Sequence, residues 1–258
     1  MHPQITVDTA RRLSRLDVLD REVAEITAVP IGTIRKWRTG ARRGAGKARR
    51  ADCPRCTGRP LDEPAYSYLL GLYLGDGCIT HGRRDVYALS IACCDDWPGL
   101  LAAAKSAMSA VMPASKVFGV QRMFGVQRIG MTEVKSYSKH WPCLFPQHGP
   151  GCKHTRKIEP ADWQREIVER YPGDFARGLF HSDGYRGLNR VRRNWGGGDH
   201  WYEYPRYLFT NNSADILWLC GETLDQLGVE WRFSKPNTIS VARREAVARL
   251  DEFVGPKY

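Results

Sequence analysis

Two aspartates stand where a carboxylate is hardest to place. Asp76 closes the apolar stretch YLLGLYLGD, Asp183 closes ARGLFHSD, and a glycine follows each. If both stretches are helices, both acids sit at the negative end of a macrodipole, which disfavours them. Two such groups held close together must protonate, splay apart or recruit cations, and their oxygens suit Mg²⁺ or Mn²⁺. A divalent ion bound there can position a water and stabilise charge on a phosphate during hydrolysis.

The elements that would carry these acids are two copies of one segment. LLGLYLGDG (residues 69–77) aligns with ARGLFHSDG (residues 176–184), matching Gly71 with Gly178, Leu72 with Leu179, Tyr73 with Phe180 and Asp76 with Asp183. Small residues recur four apart, Gly71 with Gly75 and Gly178 with Ser182, and positions four apart share one helix face. Gly71 and Gly178 therefore predict a helix interface at which two backbones almost touch. If the helices run parallel, Asp76 and Asp183 emerge at the same end. Gly77 and Gly184 are expected as left-handed C-terminal caps.

This duplicated motif resembles that of the LAGLIDADG homing endonucleases in their single-chain, two-motif form. The resemblance covers about residues 61 to 258 and implies an α+β fold. Two pseudo-symmetric αββαββα units would carry saddle-shaped antiparallel sheets over double-stranded DNA. Later stretches agree: YALSIACC reads as a strand, WPGLLAAAKSAMSAVM as a helix and residues 117 to 137 as further strands. In the second copy RYLFTNNS reads as a strand, ADILWLCGETLDQLG as a helix, VEWRF with TISVA as a hairpin, and REAVARLDEFV as a closing helix.

The resemblance implies a site-specific, divalent-metal-dependent DNA endonuclease that hydrolyses phosphodiester bonds. Asp76 and Asp183 would be the catalytic metal ligands, with Gly75 and Ser182 beside them in the metal site. It also implies a basic residue near each half-site, best matched by Lys135 and Arg243. Ala242 competes with Arg243 as the true counterpart, which opens the way to nicking instead of double-strand cleavage. A consensus acid is Leu74 in one copy and His181 in the other; His181 is expected to pack between helices rather than bind metal. The alternative function is a non-cleaving transcription regulator of the same descent, and a third is RNA binding of the intron-maturase kind.

DNA-reading residues are expected on the strands. In the tandem FGVQRMFGVQR the six-residue offset is even, so one extended strand would show Gln121 and Gln127 on one face and Arg122 and Arg128 on the other. Glutamine and arginine suit adenine and guanine edges. Arg186, Arg190, Arg192 and Arg193 are the corresponding candidates in the second copy.

The N-terminal region reads as an all-α helix-turn-helix domain over residues 1–41. Ala10, Leu13, Leu16, Val23, Ala24, Ile26, Ile34 and Trp37 would form its core, and Thr33, Arg35, Lys36 and Arg38 would face DNA. Residues 42–60 read as a basic linker with a CxxC pair, in which Arg42 and Arg43 would touch phosphates. Repeat 1 is assigned to residues 61–170 and repeat 2 to residues 171–258. Cys53 and Cys56 offer half of a structural Zn²⁺ site, which Cys143, His148, Cys152 and His154 could complete if folding brings them close.

The net charge of +11 over 258 residues suits a polyanionic partner, and 42% hydrophobic residues with eight tryptophans suit a folded chain. The start MHPQITVDTA does not read as a signal peptide, and no apolar run is long enough to span a bilayer. A cytoplasmic, nucleoid-associated protein is expected, working without a membrane and as a monomer. Its eight cysteines are then not a disulfide framework. Met1 and the ending VGPKY are unlike an intein, so a stand-alone protein is expected.

Overall fold

A computed structural model of the chain describes residues 2–38, 53–124, 127–195 and 198–257. It divides into two units, Met1–Asp52 and Cys53–Tyr258.

The first unit contains α1 (Gln4–Arg15), α2 (Asp20–Thr27) and α3 (Ile31–Arg38). Ala28 adopts a left-handed conformation (φ 51°) that ends α2, and Pro30 opens α3 at once. Val7, Ala10, Val23, Val29, Ile34 and Trp37 close the core, with Leu13 and Ala24 packed against it. Leu16 and Ile26 are exposed, against expectation. Leu16 lies past the last turn of α1, where Asp17 at φ 56° redirects the chain. In the eight-residue α2 only Val23 is fully buried, and Val29, from the turn beyond, takes the place expected of Ile26.

The second unit begins with a single helical turn, α4 (Pro54–Thr57), and then repeats one pattern twice. The first copy runs α5 (Glu63–Asp76), β1 (Gly77–His81), β2 (Tyr87–Cys94), α6 (Pro98–Val111), β3 (Val117–Phe124), β4 (Gln127–Ser138) and α7 (Trp141–Leu144). A connecting helix, α8 (Asp162–Arg170), leads to the second copy. That copy runs α9 (Pro172–Asp183), β5 (Gly184–Trp195), β6 (Gly198–Thr210), α10 (Ala214–Gln226), β7 (Arg232–Lys235), β8 (Thr238–Val241) and α11 (Arg244–Val254). Each copy is αββαββα. The sheets are antiparallel with orders β1-β2-β4-β3 and β5-β6-β8-β7, the same topology. The α+β fold with two pseudo-symmetric halves is as expected.

Local chemistry sets both motif helices. Asp62 accepts a bond from the Ala65 amide at 3.1 Å and Pro64 occupies the first turn of α5, while Pro172 opens α9. Tyr66, Leu69, Leu70, Tyr73, Phe175, Leu179 and Phe180 are buried in one continuous core shared by the two halves. Each helix stops where a strand starts. Gly77 (φ −91°, ψ 152°) and Gly184 (φ −88°, ψ 153°) are extended rather than left-handed caps. Glycine is needed there for space: a Cβ on Gly77 would lie 2.5 Å from the Tyr73 Cα, and one on Gly184 2.5 Å from the Phe180 Cα. Among the described residues no helix is long and apolar enough to cross a membrane.

Candidate functional site

The two motif helices lie against each other with no room for side chains at the crossing. A Cβ on Gly71 would lie 2.5 Å from the Phe175 carbonyl oxygen and 2.7 Å from the Leu179 nitrogen. One on Gly178 would lie 2.9 Å from the Gly71 Cα and overlap the Tyr68 carbonyl. Further along, a Cβ on Gly75 would overlap the Ser182 side chain and come within 3.1 Å of Asp183 Oδ2. Because Gly71 meets Gly178 and Gly75 meets Ser182, contacts advance in the same direction on both chains. The helices are parallel, and Asp76 and Asp183, each the last helical residue, share one end.

Two lysines close that end. Lys153 Nζ donates to the Gly75 carbonyl at 2.7 Å, and Lys257 Nζ donates to the carbonyls of Ser182 (3.3 Å) and Gly184 (2.6 Å). The last carbonyls of a helix lack intrahelical partners and carry its negative pole, so each lysine caps a motif helix. Asp183 also accepts from Asn211 Nδ2 at 2.6 Å. Asp76 is exposed at the rim, yet the helix ends crowd its inner side. Desolvation first, and then the charge of Asp183, push its carboxyl up to about 6, against the pull of Lys153 and Lys257. Burial likewise raises Asp183, opposed by the Asn211 bond and then by both lysines. Burial pulls Lys153 down to about 8 and lowers Lys257, while both aspartates hold their protons on. The result is a four-charge cluster with zero formal charge, beside a cavity of about 290 Å³ lined by Gly75, Lys153, Asp183 and Asn211.

Lys153 and Lys257 were not singled out from the sequence. The available signal was a basic residue shortly after the closing helix of each copy, in GCKHT and VGPKY. His181 packs as expected. Its Nδ1 faces Tyr68 Oη at 3.0 Å and its Nε2 faces the Val254 carbonyl at 2.9 Å, and burial lowers its pKa to about 4.

Lys135 and Arg243 occupy unlike places. Lys135 lies in the cross-strand row Cys78–Ser90–Lys135–Phe118, which starts two residues past Asp76, and it is ion-paired with Glu133. The corresponding row of the second sheet is Tyr185–Leu208–Ser240–Arg232. Ser240, not Arg243, is therefore the pseudo-equivalent of Lys135. Arg243 lies beyond the end of β8 as the residue before α11, with its guanidinium on Glu230. The nearest cation to Ser240 by hydrogen bonding is Arg206, whose Nε donates to Ser240 Oγ at 3.0 Å.

Sheet register also revises the strand candidates. Phe124 pairs with Gln127, so FGVQRMFGVQR is two arms of a hairpin rather than one strand, and the shared-face argument for Gln121 with Gln127 does not apply. Arg122 is ion-paired to Glu133 at 2.6 Å, and the side chain of Arg128 lies outside the described residues. On β5, alternation puts Arg186, Arg190 and Arg192 on the side that carries buried Tyr207 and Phe209. Arg186 is gripped there by Asp251 of α11, Nε to Oδ1 at 2.7 Å and Nη2 to Oδ2 at 2.8 Å. Arg190 lies over the Trp201 ring and 3.4 Å from Glu203. The opposite, open side of this sheet presents Tyr185, Asn189, Tyr202, Tyr204 and Arg206, residues that composition alone did not mark. The side chain of Arg193 lies outside the described residues.

In the first unit, Arg35, Lys36 and Arg38 are exposed on α3 and Thr33 is half-buried. Arg38 bonds Asp20 at 3.0 Å and Arg35 lies 3.8 Å from it. Arg42 and Arg43 fall outside the described residues. Cys53, Cys56 and Cys143 converge, but the fourth member of their cluster is His140. Cys152 instead precedes the 3₁₀ turn of Lys153 and lines a separate cavity of about 690 Å³.

No family model matches the sequence, and no curated protein matches it. Solved structures do. A variant of I-DmoI in complex with its target DNA, nicked in the coding strand and with manganese present, is 14% identical, with a TM-score of 0.47 over 75% of this chain and 97% of that one. The homing endonuclease I-WcaI bound to its DNA recognition sequence is 12% identical, with a TM-score of 0.45 over 76% and 83%. The LAGLIDADG meganuclease I-AabMI bound to uncleaved DNA is 10% identical, with a TM-score of 0.44 over 73% and 82%. These are homing endonucleases, the group that the duplicated motif resembles. Likeness at this level assigns no activity to the present chain.

Proposed function

We propose that this chain is a site-specific DNA endonuclease of the LAGLIDADG kind, which hydrolyses phosphodiester bonds with a divalent metal. The observation that carries the reading is the joint emergence of Asp76 and Asp183 from two parallel helices whose backbones touch at Gly71 and Gly178. Burial makes both carboxyls reluctant to ionise alone.

The donor set fits Mg²⁺ or Mn²⁺. Two carboxylates and the backbone carbonyls of Gly75 and Ser182 offer only hard oxygen, and burial raises both carboxyls, so a cation that kept them ionised would be favoured. Asp76 and Asp183 would hold the ion, which supplies an activated water and charge neutralisation at the phosphate. Lys153 and Lys257, already at the helix ends, hold protonated ammonium groups next to where a phosphodiester would lie and can shift from the carbonyls toward it. Lys135 faces the same end of the first sheet. Both halves of the site come from one chain, which supports action as a monomer on double-stranded DNA. The open sheet faces with Arg122, Lys135, Asn189, Tyr204 and Arg206, and α3 of the first unit with Thr33, Arg35, Lys36 and Arg38, are read as the DNA-contacting surfaces.

The test is supercoiled plasmid carrying the gene's own genomic flanks, incubated with Mg²⁺ or with EDTA. Metal-dependent cutting that disappears in Asp76→Asn and Asp183→Asn is the expected result. Tight, specific binding without cutting would support the second reading, a transcription regulator on the same scaffold. The observation favouring that reading is that Lys153 and Lys257 already neutralise the two acids.

A further inference from the structure

We propose that Cys53, Cys56, His140 and Cys143 form a structural zinc site that fastens the start of the second unit to the end of its first sheet. This goes beyond the nuclease reading and does not depend on it. The four donor atoms all lie within 4.8 Å of one another, and all four thiol and imidazole groups come from two short turns that face each other. Cys53 precedes α4 and Cys56 lies within it, and His140 precedes α7 with Cys143 within it.

Three of the distances within the cluster match the edges of a coordination tetrahedron. Zinc–sulfur bonds of ~2.3 Å and zinc–nitrogen bonds of ~2.0 Å give sulfur–sulfur edges of about 3.8 Å and sulfur–nitrogen edges of about 3.5 Å. Cys56 Sγ lies 3.6 Å from Cys143 Sγ and 3.4 Å from His140 Nδ1, and Cys143 Sγ lies 3.8 Å from the same nitrogen. Cys56, Cys143 and His140 thus stand mutually at edge distance around a common point, and all the cysteines are free of disulfides. Three thiolates and an imidazole are soft and borderline donors that select zinc over Mg²⁺ or Ca²⁺, and four protein ligands leave no open position for substrate.

Local structure prepares the site without being able to sustain it. The Cys56 and Thr57 amides bond the Cys53 carbonyl at 3.1 and 3.0 Å, which turns both thiols of the CxxC pair the same way. The His140 amide bonds Ser138 Oγ at 3.1 Å, and the Cys143 amide bonds the His140 carbonyl at 3.0 Å. Each turn is four residues long, far below the length at which a helix persists alone. A metal holding both would tie the α4 turn to α7, whose Trp141 and Leu144 are anchored in the core. Such a site would fix where the chain enters the second unit.

The test is metal content of the full-length chain purified under reducing conditions without chelator, followed by Co²⁺ replacement. One zinc per chain is expected, together with the intense sulfur-to-cobalt charge-transfer and d–d absorption of a tetrahedral, thiolate-rich site. That spectrum needs no variant, so misfolding cannot mimic a negative. Cys56→Ser, Cys143→Ser and His140→Ala should lose the zinc, and Cys152→Ser should keep it. Reduced wild-type protein without zinc and without the cobalt spectrum overturns the proposal. So does zinc that survives His140→Ala, or zinc lost in Cys152→Ser alone. Asp76→Asn should retain its zinc whether or not the chain cuts DNA, which separates this test from that of the nuclease.

Discussion

Gly71 and Gly178 meet backbone to backbone: a methyl group on either would run into main-chain atoms of the opposite helix. This contact decides that the two halves share one core, and it brings the C-terminal ends of α5 and α9 together. A backbone cannot yield as a flexible side chain can, so the helices themselves would have to separate.

Gly71→Ala and Gly178→Ala should therefore each destabilise the second unit by about 3 kcal/mol, the upper end of overpacking costs. Urea denaturation checks this. Gly228→Ala, at φ 68° but with no atom near its missing Cβ, should cost about 1 kcal/mol from backbone strain alone.

Asp76→Asn should abolish cutting while raising thermal stability at neutral pH. The sign follows from the raised carboxyl: ionised Asp76 opposes folding above its folded value of about 6, and that opposition fades as pH falls toward its ordinary value of 3.8. Melting curves of wild type and variant should therefore diverge at pH 8 and converge near pH 4. A variant less stable than wild type at pH 8 would contradict the electrostatic account of the cluster.

Cleavage of the two strands should be unequal. Lys135 on the first sheet is matched by Ser240 on the second, so one half-site has a lysine where the other has a hydroxyl and the guanidinium of Arg206. Nicked circles should accumulate before linear product in a time course on supercoiled plasmid. Lys135→Ala should slow one strand about tenfold or more and leave the other close to wild type.

Arg186 and Arg206 should separate structure from DNA binding. Arg206→Ala, on the open face, should weaken DNA affinity by about 1–3 kcal/mol and reduce its salt dependence. Arg186→Ala should alter affinity far less and instead loosen α11, because its partner is Asp251. Filter binding at several salt concentrations and thermal melts give both readouts.

The same pair predicts an acid limb of stability. The bonds from Arg186 and then Tyr207 hold Asp251 below its ordinary value of 3.8, against burial. Its contribution is fully present above that value and is lost as pH falls through the lower folded one. Asp251→Asn should flatten this limb in a pH series of denaturant midpoints.

The duplicated motif, its small residues four apart and the alternating strand and helix patterns of each copy were legible in the sequence, because each is a relation between residues within one or two turns or along one strand. Together with the family resemblance they led to the expected αββαββα order, while the meeting of Asp76 and Asp183 was expected only if the two helices ran parallel, as they do. Even locally, the Gln121–Arg128 tandem misled, since an even offset predicts a shared face only if the chain does not reverse between the copies, and here it reverses between Phe124 and Gln127. Only the tertiary structure decided the partners of the acids. Lys153 reaches Gly75 across 78 positions and Lys257 reaches Gly184 across 73, and no periodicity spans such a gap. The choice of His140 over Cys152 beside Cys56, and of Ser240 over Arg243 opposite Lys135, has the same origin. Which groups meet depends on sheet register and on how two helix ends are packed, and both are set by the burial of the whole core rather than by any contiguous stretch of chain.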